Sequence, residues 1–151
     1  MMMSYENVYV AQIAMGADYN QTLKAMIEAE SYNGPSLIIA YSPCISHGIK
    51  TGLGSSQHEQ AKGVESGYWH IFRFNPDLIK SGKNPLSLDY SRPFTEFEEF
   101  LSGELRFTSL KKSNPEESSE LFRKSESDAK RRYEWIKKLH QIYDNDTHKQ
   151  N

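Results

Sequence analysis

Apolar positions along the chain recur with two different periods, and the switch between them predicts the elements. Residues 8–14 (VYVAQIA) form a near-continuous apolar run with β-branched and aromatic side chains at its start, the pattern of a strand buried on both faces. Met15-Gly16-Ala17 then turns the chain. From Asn20, the string NQTLKAMIEAES places Leu23, Met26 and Ile27 at i, i+3 and i+4 among Lys24, Glu28 and Glu30, which predicts an amphipathic helix of about three turns. Asn33-Gly34-Pro35 stops it, and residues 36–41 (SLIIAY) make a second buried strand. Strand, helix and strand at this spacing read as a βαβ unit with parallel strands and a right-handed crossover. The predicted class is α/β, a parallel sheet flanked by helices.

Residues 42–55 hold Pro43, Gly48, Gly52, Gly54 and several serines, and so form a long loop leaving the carboxyl end of the second strand. In open parallel sheets that is the edge where ligands bind. A helix is predicted over 57–66 with Gly67 as its C-terminal cap, and a third strand over 69–74 (WHIFRF). Residues 75–93 are proline-rich and read as irregular, anchored by Leu86 and Leu88. Thr95 is placed to cap a helix with Glu98 at its third position, so that Phe97, Phe100, Leu101 and Leu105 share one face. Asn114, Pro115 and Glu117 form a stronger start signal, followed by the periodic set Leu121, Phe122, Ala129, Tyr133, Ile136, Leu139 and Tyr143. A helix over 115–143 would be roughly 43 Å long. For a small domain that length implies an apolar face packing partly on something outside the chain. Residues 144–151 read as a disordered tail.

Composition narrows the partners. At 151 residues one domain is the expectation, and the polar residues collect after position 110. A net charge of −2 gives no electrostatic case for nucleic acid or a membrane surface. No apolar run approaches the ~20 residues of a membrane span, and no charged leader with an apolar stretch opens the chain. A cytoplasmic protein is expected, in a reducing compartment, because the single cysteine cannot form an internal disulfide. Met1-Met2-Met3, so close to a strand, reads as the cut edge of a longer product.

Candidate chemistry is sparse. The stretch 48–54 (GIKTGLG) fails the phosphate-loop pattern, because no glycine directly precedes Lys50, and 52–57 lacks the third glycine of a dinucleotide fingerprint. His47, His58, His70, His140 and His148 are scattered, with no metal-binding i, i+4 pair. Glu28 with Glu30, Glu98 with Glu99, and the basic clusters at 111–112 and 130–132 read as solvated helix faces. Cys44, in YSPCISHG, has three open readings. It is a structural thiol, a nucleophile with His47 as its base, or one ligand of an iron–sulfur cluster whose other thiolates come from elsewhere.

Several uncommon strings occur together and in order: VYVAQIAMGA (8–17), EAESYNGPSLIIAYSPCISHGI (28–49), SGYWHIFRFNP (66–76), GKNPLSLD (82–89) and Asn114-Pro115-Glu116-Glu117. On these the chain resembles the C-terminal segment of pyruvate:ferredoxin (flavodoxin) oxidoreductases. The resemblance implies that residues 1–110 are the last portion of a thiamine-diphosphate-binding α/β domain, with a long helix over 111–143 packing on it or on a partner, then the tail at 144–151. It implies an enzyme, commonly a homodimer, that oxidatively decarboxylates pyruvate to acetyl-CoA and CO2 with thiamine diphosphate, Mg2+, [4Fe–4S] clusters and coenzyme A. Its electrons go to ferredoxin or flavodoxin. It also implies that Cys44 is the fourth ligand of the cluster nearest the thiamine, the other ligands lying in the remainder of the same polypeptide. No catalytic or thiamine-binding residue carries over, and the 151 residues alone are expected to be inactive. The alternative is an independent α/β interaction domain with Cys44 a plain or redox-sensitive thiol.

Overall fold

A computed structural model of the chain describes residues 1–90 and 94–149. Among them four strands form one sheet in the order β2-β1-β3-β4, with β1 at Tyr9–Ile13, β2 at Ser36–Ala40, β3 at Phe72–Phe74 and β4 at Leu86–Leu88. The helices are α1 (Tyr19–Ser31), α2 (Ser56–Glu65), α3 (Asp77–Lys80), α4 (Phe97–Gly103), α5 (Leu105–Ser113) and α6 (Pro115–Lys149). The α/β class and flanking helices agree with the sequence reading, and β1-α1-β2 is the expected parallel unit, with Tyr9 beside Ser36 and Ile13 beside Ala40. The rest of the sheet is not parallel. β3 runs antiparallel to β1, and β4 antiparallel to β3. The segment read as irregular thus contains both α3 and β4, while its last three positions, 91–93, lie outside the described residues.

Period-2 alternation on β1 divides the core. Tyr9, Ala11 and Ile13 face α1 and pack with Ala25, Ala29, Tyr32 and Ile38. Val10 points the other way, into Phe72, Phe74, Leu86 and Ile136 beneath α6. A third cluster of Tyr41, Val64, Ile71, Phe97, Phe100, Leu101 and Ala129 fills the space between α2, α4 and α6 at the carboxyl end of β1 and β2. Asp18 caps α1 by accepting from the Gln21 N–H at 2.9 Å. The turn after β1 meets the start of α2 closely. A Cβ built on Gly16 would lie 2.0 Å from the backbone oxygen of Gln57, and the Gly16 N–H donates to Gln60 Oε1 at 3.0 Å. Gly16→Ala is therefore expected to lower stability by about 1–3 kcal/mol, because backbone must move to admit the methyl group. Urea unfolding would show it as a lower midpoint with unchanged slope.

Two expected buried faces are open. The sequence of β2 predicts a buried strand, yet Leu37 is 36% and Ile39 40% exposed, because β2 is the edge of the sheet. α1 packs through Gln21, Thr22 and Ala25, and leaves Leu23, Met26 and Ile27 about half exposed, so its apolar triplet is not its packing face. The helix predicted from Thr95 is broken in two at Glu104, whose backbone is extended (φ −100°, ψ 126°) and bridges to Ile49. Glu96, and not Thr95, stands at the N-cap of α4, and the Thr95 N–H donates to the Glu65 carbonyl. In α6, Phe122, Ala129, Tyr133, Ile136, Leu139 and Tyr143 all pack on the body of the chain. The length of the helix is thus supported from within, and Leu121, Trp135 and Ile142 are its exposed apolar residues. α6 continues to Lys149, past the expected end at Tyr143, so residues 144–149 of the anticipated tail are helical and 150–151 lie outside the described residues.

Candidate functional site

The chain leaves β2 through Tyr41, Ser42 and Pro43 and reaches Cys44 at the carboxyl end of the strand. Tyr41 anchors this exit. Its ring stacks on Trp69 with centroids 5.5 Å apart, and Trp69 Nε1 in turn donates to the Ile13 carbonyl at 3.1 Å. The Tyr41 hydroxyl donates to the Glu104 carboxylate, a buried partner, and burial with that carboxylate pushes the phenol well above its ordinary pKa. Glu104 is charge-balanced by Arg106, Nε lying 2.5 Å from Oε2. The Arg106 guanidinium also sits 4.5 Å from the Phe107 ring centroid.

The same segment clamps the far side of the loop. The Lys50 N–H donates to the Gly103 carbonyl at 2.8 Å and the Leu105 N–H to the Gly48 carbonyl at 3.2 Å, while Ile49 is buried against it. The helix breaks at Glu104, where the Gly103 carbonyl and the Leu105 N–H on either side bond to the cysteine loop and the Glu104 carboxylate accepts from Tyr41. Beside it Glu59 is buried, its carboxyl raised first by desolvation, and it lies so close to Gly103 that a Cβ there would sit 2.2 Å from Oε1.

Between these anchors the loop makes one turn. The Gly48 N–H donates to the Cys44 carbonyl at 2.9 Å, with Gly48 in the left-handed region at φ 80°. That turn brings His47 Nδ1 to 3.0 Å from Cys44 Sγ. Backbone N–H of His47, its ring, and the backbone N–H of Ser46 all favour the thiolate, lowering the Cys44 pKa to about 7. Cys44 is partly buried, so it is not a thiol sealed in the core. The sequence names His47 as the one nearby candidate base with nothing visible to orient it, and the turn sets its ring against the sulfur.

Alkylation of Cys44 by iodoacetamide is expected to rise with pH around a midpoint near 7, because the reactive thiolate forms above the lowered pKa. His47→Ala should move that midpoint upward. An unchanged midpoint in the variant would show that the ring contributes nothing.

Among the described residues no group of three or more His, Cys, Asp or Glu side chains converges as a metal site. His70 is buried, with a ring nitrogen 3.1 Å from the Ala129 carbonyl and burial lowering its pKa. Glu28, read as part of a solvated face, instead accepts from Tyr9 and pairs with Arg73 at 2.6 Å. Arg73 also grips Asp89 through Nε and Nη2 at 2.9 and 2.8 Å. An arginine in the middle of an aromatic strand, FRF, was the one signal in the sequence that a carboxylate must lie nearby. Glu104 and Tyr41 left no such mark, since Glu104 sits in what reads as an ordinary helix.

No family model matches the chain. Among curated proteins, it is 58% identical over 139 residues to the pyruvate:ferredoxin oxidoreductase of Moorella thermoacetica, covering 92% of this chain and 12% of that protein. It is 57% identical over 139 residues to the pyruvate-flavodoxin oxidoreductase of Enterobacter agglomerans, with the same coverage. The mitochondrial pyruvate dehydrogenase [NADP(+)] of Euglena gracilis is 46% identical over 115 residues, or 76% of this chain and 6% of that protein. The chain thus spans about an eighth or less of the length of these relatives.

Proposed function

Because this chain is homologous to one segment of the pyruvate:ferredoxin/flavodoxin oxidoreductases, we propose that it works as part of such an enzyme, one that oxidatively decarboxylates pyruvate to acetyl-CoA and CO2 and delivers electrons to ferredoxin or flavodoxin. The observation that carries this reading is the 58% identity across 139 of its residues. The segment is read as the end of the thiamine-diphosphate-binding domain, in a cytoplasmic homodimer. Thiamine diphosphate, Mg2+ and coenzyme A would be held by residues elsewhere in the polypeptide, and no side chain of this chain is assigned to them.

Cys44 is read as one ligand of a [4Fe–4S] cluster. The donor chemistry fits one corner: a half-exposed thiol with a pKa of about 7 supplies thiolate at neutral pH, which is the form that binds iron. When bound, such a cluster supplies one-electron storage between the reacting cofactor and the carrier. This chain's contribution is positional. Tyr41, Glu104 and the backbone clamp at Gly48 and Lys50 fix where the sulfur is presented, while the N–H groups of Ser46 and His47 favour its negative charge. With one thiolate where four are needed, the 151 residues alone would hold no cluster and reduce no acceptor.

The test is turnover by a full-length enzyme that contains this segment. Pyruvate- and coenzyme A-dependent reduction of a viologen dye, with acetyl-CoA as product, is the expected result. Failure to reduce the dye with pyruvate, in a preparation loaded with thiamine diphosphate and iron, would reject the reading. The alternative of a free-standing domain with a redox-sensitive thiol draws on the Cys44–His47 contact. It requires that the 151-residue chain occur in cells unattached to any oxidoreductase.

A further inference from the structure

A cysteine sulfur bound to iron still has lone pairs to offer, and the groups that donate to them help to set the potential of the metal group. The loop after β2 supplies such donors to Cys44. The backbone N–H groups of Ser46 and His47 bond to the sulfur, and the His47 ring brings Nδ1 to 3.0 Å from it. These donors are not equivalent. The backbone pair comes with the turn, whatever side chains stand at 46 and 47. The ring is the donor that the choice of side chain controls.

The turn holds ring and sulfur together. Its closing bond, from the Gly48 N–H to the Cys44 carbonyl, requires Gly48 at φ 80°, a conformation that strains any other residue. Pro43 before the cysteine and Ile49 after the turn are both buried, and the Gly48 carbonyl and Lys50 N–H are bonded to Leu105 and Gly103. His47 itself is exposed and belongs to none of the three core clusters, so packing does not account for where its ring lies. Protonation then fixes the direction of the bond. A free thiol can donate to the ring, but a sulfur bound to iron has no proton left to give. Nδ1 must carry the hydrogen and donate. Reduction adds one electron, part of whose charge falls on the ligating sulfurs, and a hydrogen bond to a more negative acceptor is stronger. The bond therefore favours the reduced form. No proton changes hands, because the hydrogen stays on the ring in both states.

We propose that His47 is a positioning residue for electron transfer, acting through Cys44: its Nδ1–H, aimed at the sulfur, raises the reduction potential of the [4Fe–4S] cluster that Cys44 ligates. This rests on the enzyme reading and on Cys44 as a cluster ligand. The ring thereby makes this cluster a better acceptor for electrons leaving the reacting cofactor.

A potentiometric titration of the full-length enzyme, followed by electron paramagnetic resonance at one fixed pH, tests it. The signal that Cys44→Ser removes identifies the cluster to follow. His47→Leu keeps bulk beside the sulfur without a donor, and His47→Asn returns an N–H at the same branch of the side chain. In the leucine variant the reduced-to-oxidised ratio of that cluster at a given potential should fall about tenfold, a downward shift of about 59 mV for a one-electron couple. The asparagine variant should stay within about threefold of the parent. The other clusters should not move. Equal potentials for His47→Leu and the parent, in an enzyme that still reduces dye with pyruvate, would overturn the donor role and leave the enzyme reading intact. Equal downward shifts in both variants would assign the effect to the bulk or charge of the ring and overturn the proposal too. So would loss of the cluster from either variant, which would make the ring part of cluster binding instead of its potential. Failure of the reading itself shows separately, as a Cys44→Ser enzyme that keeps every cluster signal and its full iron.

Discussion

Arg73→Met is expected to cost the fold about 3–5 kcal/mol, the range for removing one partner of a buried ion pair. Arg73 lies on β3 with its side chain 8% exposed, between Asp89 at 12% and Glu28 at 22%. Its guanidinium makes the paired bonds to Asp89 and a third to Glu28, and each carboxylate has one further donor, Gln21 for Asp89 and Tyr9 for Glu28. Methionine fills most of the volume but leaves two carboxylates facing each other under α1, without a cation. Against the usual 5–15 kcal/mol of domain stability, that is a large share. Glu28→Gln should cost clearly less, because the two-pronged Asp89 contact survives and the amide can still accept from Tyr9. Urea unfolding of both variants checks the order. Equal midpoints for Arg73→Met and the parent chain would show that the cluster contributes nothing net.

Cys44→Ser in the full-length enzyme is expected to abolish pyruvate-dependent dye reduction, with a loss of at least about a hundredfold, while thiamine diphosphate still binds. A hydroxyl is a hard and weakly acidic ligand where soft thiolate is needed. The fold gives little reason for collateral damage. Cys44 is half-exposed on a loop whose anchors, Tyr41, Ile49 and the Gly48 and Lys50 backbone bonds, do not involve the sulfur. The unfolding midpoint of the 151-residue chain should therefore be unchanged by the substitution. A destabilised isolated variant would mean that the sulfur is structural, and the kinetic loss would then say nothing about electron transfer.

The parts of the fold that depend on local pattern were legible in the sequence. β1, α1, β2, α2 and the start of α6 follow from apolar period, Gly67 at a helix end with φ 75°, and Asn114-Pro115 at a helix start. What depended on neighbours was not. β4 is three residues long within a glycine- and proline-rich stretch, and only its pairing with Phe72 and Phe74 makes it a strand. The antiparallel direction of β3 is invisible in WHIFRF itself. Leu23, Met26 and Ile27 carry a helix period that the packing of this chain does not use, since Ala25 and its neighbours approach the sheet more closely. The cysteine was conspicuous as the sole thiol, and its placement at the end of β2 followed from the βαβ pattern. The Tyr41–Glu104 contact joins residues 63 positions apart, and the helix break at Glu104 has no local signature.

The central claim, that Cys44 presents one thiolate to an iron–sulfur cluster of a pyruvate oxidoreductase, is tested most directly by the electron paramagnetic resonance spectrum of the reduced full-length enzyme with and without Cys44→Ser, read beside its iron content. The expected result is loss or conversion of one [4Fe–4S] signal in the variant, with the remaining cluster signals unaltered. A variant that retains every cluster signal and its full iron would contradict the claim.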